Sequence, residues 1–193
     1  MTLRELRSLW RSDLHRYEGK VNLRLFCKHL LANPGYKYTF WLRACQYFWK
    51  ARPRPLAWLP YGVCRLLLTH YEWKFGISIP YVTSVGRGLY IGHFGGIVVN
   101  GRCTLGDHCN IHQGVTLGQA NRGERKGSPA LGNGVWLGPG STVIGAITIG
   151  DNVAIGAHAV VTKDVPDNAV VVGMPGKIIS YAGTEGYVEH VDV

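Results

Sequence analysis

Residues 131–166 decide the fold, and they read LGNGVW LGPGST VIGAIT IGDNVA IGAHAV VTKDVP. Each of these six hexads begins with an aliphatic residue, from Leu131 to Val161. A second column four positions later holds small or β-branched residues, from Val135 to Val165. A period of six fits neither an α-helix nor a simple amphipathic strand, so the segment predicts a repeated unit of one short strand and one turn.

The same period continues upstream in two shorter runs. Val85, Ile91 and Ile97 form one run, and after a two-residue phase slip the residues from Val99 to Leu117 form the other, which brings the count to thirteen hexads. One hexad cannot bury its aliphatic residue alone, so successive strands must coil into a β-helix with the aliphatics stacked inside. Three hexads per coil predict about four coils.

Two segments do not follow this period. Residues 119–130 are polar and Gly-rich, and they are predicted to loop out of the β-helix, as a surface insertion or as part of a site. Residues 1–75 are predicted to be helical instead, with amphipathic helices near the N-terminus and over Phe40 to Trp49 and Val63 to Phe75. We therefore divide the chain into a helical region, a β-helix over 76–180 and a C-terminal tail over 181–193.

Hydropathy, the N-terminal sequence, the cysteine spacing and the motifs exclude several classes of protein. No apolar run reaches the roughly 20 residues of a membrane span, and the N-terminus lacks a signal-peptide pattern, so we expect a cytoplasmic protein. The five cysteines have no metal-ligand spacing, which favours buried free thiols and no bound metal. The chain matches no nucleic-acid module, so no nucleic-acid partner is expected.

The basic residues are concentrated in the helical region. Residues 1–75 hold 14 Lys+Arg and 4 Asp+Glu, whereas residues 76–193 hold 7 and 8. An ordinary solvated basic face is one explanation. The other is a weak peripheral association with an anionic membrane, for which we expect the contacts to be Arg43, Lys50, Arg52 and Arg54.

Several motifs together resemble the hexapeptide-repeat acyltransferases, and within them the serine acetyltransferases and the capsule or colanic-acid O-acetyltransferases. The motifs are FGISIP from Phe75, GRGLYIGHFGGIVV from Gly86, QGVTLG from Gln113, VTKDVP from Val161 and GMPGK from Gly173. The resemblance implies a left-handed parallel β-helix after an α-helical N-terminal region. It also implies a homotrimer, which could pair into a dimer of trimers, with acetyl-CoA bound between neighbouring β-helices.

The resemblance also implies candidate site residues. His93 falls on the family's catalytic histidine and would act as the general base for an acceptor hydroxyl, since imidazole titrates nearest neutrality. His108 and His112 are rival histidines, of which His112 lies close enough in spacing to be one coil away, whereas His158 would line the CoA site or be exposed. Ser78, His112 and Ser128 are the candidate substrate-binding residues. For acetyl-CoA, the resemblance implies contacts from Trp136, Ala157, Thr162, Lys163 and Lys177.

Two departures from the serine acetyltransferases concern the acceptor. Ser78 stands where that family carries the aspartate that orients the histidine, and Ser128 stands where it carries a second, substrate-binding histidine. His93 would then be oriented by a hydroxyl, a backbone carbonyl or an acid still to be identified. We therefore expect an acetyl-CoA-dependent O-acetyltransferase that acts on a sugar hydroxyl of a polysaccharide or its precursor. The alternatives are a serine O-acetyltransferase and a non-catalytic β-helix scaffold.

Overall fold

The computed structural model describes residues 1–51 and 55–191. Its N-terminal residues form four α-helices and one 3-10 helix: α1 (Leu3–Glu18), α2 (Leu23–Ala32), α3 (Pro34–Ala51), the 3-10 helix (Pro55–Ala57) and α4 (Trp58–Phe75). The predicted helices lie within α1, α3 and α4, although α3 and α4 begin earlier than predicted. Helix α2 was not predicted, although Leu25, Phe26, His29 and Leu30 follow a helical period and form its buried or half-buried side.

Fifteen short strands follow in the described residues, and they form three sheets. From β1 to β13, successive strands belong to sheets A, B and C in rotation. Sheet A contains β1 (Ile77–Ser78), β4 (Ile97–Val99), β7 (Thr116–Gly118), β10 (Thr142–Ile144) and β13 (Val160–Val161). Sheet B contains β2 (Ser84–Val85), β5 (Thr104–Leu105), β8 (Ala130–Leu131) and β11 (Thr148–Ile149). Sheet C contains β3 (Tyr90–Ile91), β6 (Asn110–Ile111), β9 (Trp136–Leu137), β12 (Ala154–Ile155), β14 (Val170–Val172) and β15 (Lys177–Ser180).

The strands within each sheet are parallel and in register, except that β15 runs antiparallel to β14. The predicted aliphatic columns therefore stack, and in sheet C the stacked residues are Ile91, Ile111, Leu137, Ile155 and Val171. All five are buried, as are the small residues of the second column. The hexads thus form the predicted parallel β-helix, and its core continues into α3 and α4 through Leu42, Leu68 and Phe75.

The turns between sheets B and C carry an acid or amide side chain that the six-residue period does not predict. The side-chain oxygens of Asp107, Asn133, Asp151 and Asp167 each accept a hydrogen bond from a backbone N–H one coil toward the N-terminus, at 2.6 to 2.9 Å. This ladder joins consecutive coils at the turns between sheets B and C. The turn that precedes each strand of sheet C is therefore fixed by its neighbour.

Two buried arginines attach the helices to the first turns of the β-helix. Arg43 is fully buried and forms a bidentate ion pair with Asp13, at 2.9 and 3.1 Å, and it also donates to the carbonyl oxygen of Val85. Arg16 is buried as well and donates to the carbonyl oxygen of Gly88 and to the side-chain oxygen of Asn110. Part of the basic charge is therefore structural.

The expectation that Arg43 contacts a membrane is wrong, because the side chain is enclosed between α1, α3 and the first turns of the β-helix. Lys50 is exposed, as expected of a surface contact. Arg52 and Arg54 lie outside the described residues.

Replacing Arg43 tests its structural role. Arg43→Met leaves the Asp13 carboxylate buried without its ion-pair partner, and we expect the free energy of unfolding to fall by about 3 to 5 kcal/mol in urea denaturation. Arg125→Met is the matched control, because Arg125 pairs with the exposed Asp164 and its loss should leave stability nearly unchanged. A loss at Arg43 no larger than that of the control would contradict the role assigned here.

Candidate active site

His93 lies on an expanded turn between sheets C and A. Seven positions separate Ile91 from Val98, whereas five separate their partners in the next coil, Ile111 and Thr116. The two-residue phase slip of the sequence is therefore the extra length of this turn. Because the extra residues cannot fit within the regular corner, the turn projects outward, and the His93 side chain is exposed.

The corner beneath this turn is lined by glycine. Gly96, Gly114 and Gly140 stack from one coil to the next, and a Cβ atom on Gly96 would lie 3.4 Å from the Cα atom of Gly114. All three have positive φ, between 67° and 73°, which glycine adopts without strain. Gly96 and Gly114 are exposed, so the backbone beside His93 is accessible and a substrate could approach it closely.

His112 lies one coil below the His93 turn, as its spacing predicts. Its Nδ1 atom is 2.9 Å from the carbonyl oxygen of Leu137, so Nδ1 donates and Nε2 is left as an acceptor. A Cβ atom on Gly92 would lie 3.2 Å from that Nε2 atom. Burial lowers the pKa of His112, and repulsion from His93 lowers it further against the opposing effect of the Leu137 carbonyl. His112 is therefore neutral at pH 7.

The other two histidines occupy structural turns. His108 and His158 both have left-handed backbone conformations, with φ of 58° and 55°. The imidazole of His108 lies against Gly88, and that of His158 lies against Gly140 at the end of the glycine column. Both rings therefore cover glycine turns of the preceding coil, whereas the His93 ring projects from its own turn.

Ser78 lies on sheet A and contacts an acid that sequence reasoning missed. Its hydroxyl oxygen is 2.6 Å from Oε1 of Glu72, which lies in the last turns of α4. Glu72 is the only Asp or Glu between Glu18 and Asp107. An isolated acid six residues before Ser78 is the feature of the sequence that could have identified Glu72.

The Glu72–Ser78 pair lies beside the His93 turn. A Cβ atom on Gly76 would be 3.2 Å from the backbone nitrogen of Gly96, and the rings of Phe75 and Phe94 are 5.7 Å apart. The segment that carries Ser78 therefore packs directly against the turn that carries His93. The half-buried carboxylate of Glu72 is thus bonded, through Ser78, to a segment that contacts the His93 turn.

Ser128 and the loop over 119–130 lie at the turn from sheet A to sheet B, whereas His93 lies at the turn from sheet C to sheet A. The Ser128 hydroxyl donates to the side-chain oxygen of Asn100 at 3.2 Å, so this serine holds the end of the loop against the β-helix. Arg125 pairs with Asp164 at 2.8 Å, and the Thr148 backbone N–H together with Arg125 lowers the pKa of Asp164. The predicted loop does leave the coil after β7 and return at β8, but several bonds anchor it.

Three of the five residues expected to contact acetyl-CoA line one pocket. Thr162, Lys163 and Lys177 border a cavity of about 280 Å³ at the C-terminal end of the β-helix. Two ammonium groups beside one cavity fit a phosphorylated ligand. Ala157 is exposed on the turn that follows β12, next to His158, and is not among the residues that line this cavity.

Trp136 lies away from that pocket, on sheet C. Its ring is 5.3 Å from that of His112 and 4.5 Å from that of Tyr187 in the C-terminal tail, to which it is tilted by 36°. The tail is held there because Asn110 donates to the carbonyl oxygen of Tyr187. Trp136 therefore packs against this chain's own tail.

The cysteines are poor candidates for covalent catalysis. Burial raises the pKa of the Cys103 thiol to about 11 and that of Cys109 to about 12, so both remain protonated at neutral pH. Cys45 and Cys64 are also buried as expected, but Cys27 is exposed, contrary to the prediction of buried thiols. In residues 1–51 and 55–191, no group of three His, Cys, Asp or Glu side chains could hold a metal ion.

None of the helices in the described part of the chain has the length and apolar character needed to cross a bilayer.

Comparisons with known proteins agree with this architecture. Residues 129–163 match the family described as bacterial transferase hexapeptide (six repeats). A serine acetyltransferase from Synechococcus elongatus is 37% identical over 80% of this chain and 60% of its own length. One from Helicobacter pylori is 41% identical over 62% of this chain and 70% of its own length.

A solved structure shows the same relationship. The serine acetyltransferase of Brucella abortus, crystallised with coenzyme A, aligns with a TM-score of 0.77 at 26% identity, over 94% of this chain and 70% of its own. The predicted left-handed parallel β-helix is thereby confirmed. The chain spans about three fifths of the length of its first curated relatives. Because the Helicobacter relative is matched over more than two thirds of its length, the chain belongs to the hexapeptide-repeat acyltransferases, in the family of the serine acetyltransferases.

Proposed function

We propose that this protein is an acetyl-CoA-dependent O-acetyltransferase whose acceptor is L-serine, with His93 as the general base. The observation that carries the proposal is the His93 turn, which presents an exposed imidazole beside a column of bare glycine corners. The names of the relatives, which specify serine acetylation, support the choice of acceptor.

His93 supplies the step that the acceptor needs. A serine hydroxyl has a pKa far above 7 and attacks a carbonyl poorly unless its proton is removed as the new bond forms. Acetyl-CoA supplies an activated thioester carbonyl. His93 takes the hydroxyl proton while the serine oxygen bonds to the acetyl carbon, and the same proton can then pass to the departing thiolate.

Glu72 and Ser78 orient His93 in this proposal. In catalytic triads, a carboxylate holds the imidazole in the productive tautomer and stabilises its charged form. Here the carboxylate would be that of Glu72, which accepts a hydrogen bond from the Ser78 hydroxyl, and Ser78 pairs with Val98 on the strand that follows the His93 turn. The missing family aspartate is then replaced by a pair, one residue from α4 and one from sheet A.

The Glu72–Ser78 pair removes one of the two arguments against serine as the acceptor, namely that Ser78 stands in place of the family's aspartate. The preference for a sugar acceptor rested on the absence of two serine-enzyme residues, at Ser78 and Ser128. The comparisons give that preference no support, since the similar proteins are named serine acetyltransferases. Ser128 still lacks the family's imidazole, so the groups that hold the serine carboxylate and ammonium belong to other residues of the corner or loop.

Acetyl-CoA would extend along the β-helix. Adjacent strands of sheet A are about 4.8 Å apart, so the end of β13 lies roughly 14 Å along the axis from β4 and the His93 turn. Lys163 and Lys177 would bind phosphate oxygens and Thr162 would contact the same end of the ligand. Ala157 lies at the corner before β13, in the same coil as Thr162 and Lys163, and would offer its backbone to the pantetheine arm. Trp136, which lies on sheet C against Tyr187, would contact the ligand from that sheet.

The functional unit in this proposal is a homotrimer with each site between two subunits. Phe94 and Val98, which flank the site, are about half exposed at 50% and 51%, and a neighbouring β-helix would cover them. A dimer of trimers stays a prediction.

The acceptor is tested by thiol release. With acetyl-CoA present, we expect L-serine to stimulate release of free CoA well above the hydrolysis background, and monosaccharides and oligosaccharides to leave it at background. Stimulation by a sugar alone would replace serine with a glycan acceptor. Failure of every acceptor, together with no binding of CoA in calorimetry, would instead favour a non-catalytic scaffold.

The general base is tested by His93→Ala. We expect turnover to fall roughly 100- to 10,000-fold while CoA affinity, measured by titration, stays nearly unchanged. His158→Ala is the matched control, because His158 is an exposed histidine of a neighbouring corner. If His93→Ala keeps more than about a tenth of wild-type turnover, His93 is not the base and His112 becomes the first candidate.

The role of Glu72 is tested by Glu72→Gln, which keeps the shape and removes the charge. We expect kcat to fall by at least about tenfold with KM for acetyl-CoA unchanged. Ser78→Asp in the Glu72→Gln background should restore part of the rate, because it places a carboxylate directly on sheet A. The matched control is Glu185→Gln, at an exposed glutamate of the tail. Equal rates for Glu72→Gln and the control, or no rescue by Ser78→Asp, would remove Glu72 from the mechanism.

A further inference from the structure

An uncovered apolar face runs along α4. We call it the α4 stripe, and its residues are Leu59, Val63, Leu66 and Trp73 of α4 together with Leu56 of the preceding 3-10 helix. Their exposed fractions run from 47% at Val63 to 93% at Leu56. From Leu59 to Trp73 the spacing of three, four and seven residues keeps them on one side of the helix.

The stripe is not part of the core of this chain. The opposite side of α4 is buried through Cys64, Leu68 and Phe75, which pack against α3 and the β-helix. A helix normally exposes a polar face, so an apolar face of this length indicates a surface that another body covers. The question is what that body is.

Charge favours an anionic body over a second copy of the same face. Within α4, described throughout, Glu72 is the only acid, and it is turned toward Ser78. Exposed lysines lie before and after the stripe in the chain: Lys50 in the last turn of α3, six residues before Leu56, and Lys74 in the last turn of α4. Two copies packed through this face would bring these lysines and two strongly basic helical regions together, whereas an anionic leaflet would attract both.

The aromatic residues favour a bilayer surface in particular. Trp58 and Trp73, 58% and 82% exposed, lie near the two ends of the stripe. Indole rings concentrate at the boundary between headgroups and acyl chains, because one edge is polar and the body is apolar. The two residues are fifteen positions apart, about 23 Å along the helix and about 60° around it, so both rings can reach one flat interface.

We propose that α4 lies in the plane of an anionic lipid bilayer, with the α4 stripe immersed among the acyl-chain boundaries and Lys50 and Lys74 at the headgroups. This surface is independent of the acceptor and of the His93 chemistry. In this proposal the α4 stripe, and not the buried Arg43, supplies the membrane affinity. That affinity depends both on burial of apolar side chains and on attraction between lysines and anionic headgroups.

Co-sedimentation of the 193-residue chain with vesicles tests the proposal. We expect binding to phosphatidylglycerol–phosphatidylcholine vesicles at low salt, weaker binding at high salt, and little binding to pure phosphatidylcholine. Leu59→Ser together with Leu66→Ser should lower the partition coefficient by at least about tenfold. The matched control is Leu23→Ser with Leu31→Ser, because those leucines of α2 are both 76% exposed.

A second measurement reports the depth of insertion. Trp73 fluorescence, taken as the difference between wild type and Trp73→Phe, should be quenched by brominated acyl chains in phosphatidylglycerol vesicles. Recovery of the wild type in the supernatant under all conditions would overturn the proposal, as would equal loss of binding in both leucine pairs. Velocity sedimentation without lipid decides the remaining alternative. If Leu59→Ser with Leu66→Ser dissociates an oligomer that Leu23→Ser with Leu31→Ser leaves intact, a second copy covers the stripe and the bilayer does not.

Discussion

The structure depends on the stacking of one aliphatic residue per hexad on its counterpart in the next coil. Ile91, Ile111, Leu137, Ile155 and Val171 form one such column, and each is buried only because its neighbours above and below are in register. A single inserted residue within a strand would turn its side chains to the wrong face. Insertions are therefore confined to the corners, and the two long departures from the period, at the His93 turn and at the 119–130 loop, lie at corners of the same sheet.

That constraint explains how a rigid repeat can carry chemistry. The coils fix the corners by parallel hydrogen bonding and by the ladder of Asp107, Asn133, Asp151 and Asp167. A corner that is two residues longer has no room inside the repeat and must project, so it presents His93 to solvent. Its position is nevertheless set by the strands on both sides. The glycine column keeps the surface next to it free of side chains.

The helical region supplies what the repeat cannot. Every strand of sheet A is two or three residues long and none carries an acid, and the acid bonded to Ser78 comes from outside the β-helix. Helix α4 brings Glu72 to Ser78, and its inner side joins the common core while its outer side stays apolar and uncovered. The buried Asp13–Arg43 pair and Arg16 then hold α1 and α3 on the first turns.

The sequence by itself determined the β-helix, its columns, the position of the phase slip and the projecting loop, because each of these follows from a period that only stacked strands can satisfy. It also singled out His93 and the lysines of the last coil through their motifs. Only the tertiary structure decided the partners of these residues. Glu72 and Ser78 are six residues apart with a helix end between them, Asp13 meets Arg43 across two helices, and Trp136 meets Tyr187 of the tail. Such contacts depend on how helices and coils pack in space, and no periodicity along the chain encodes them.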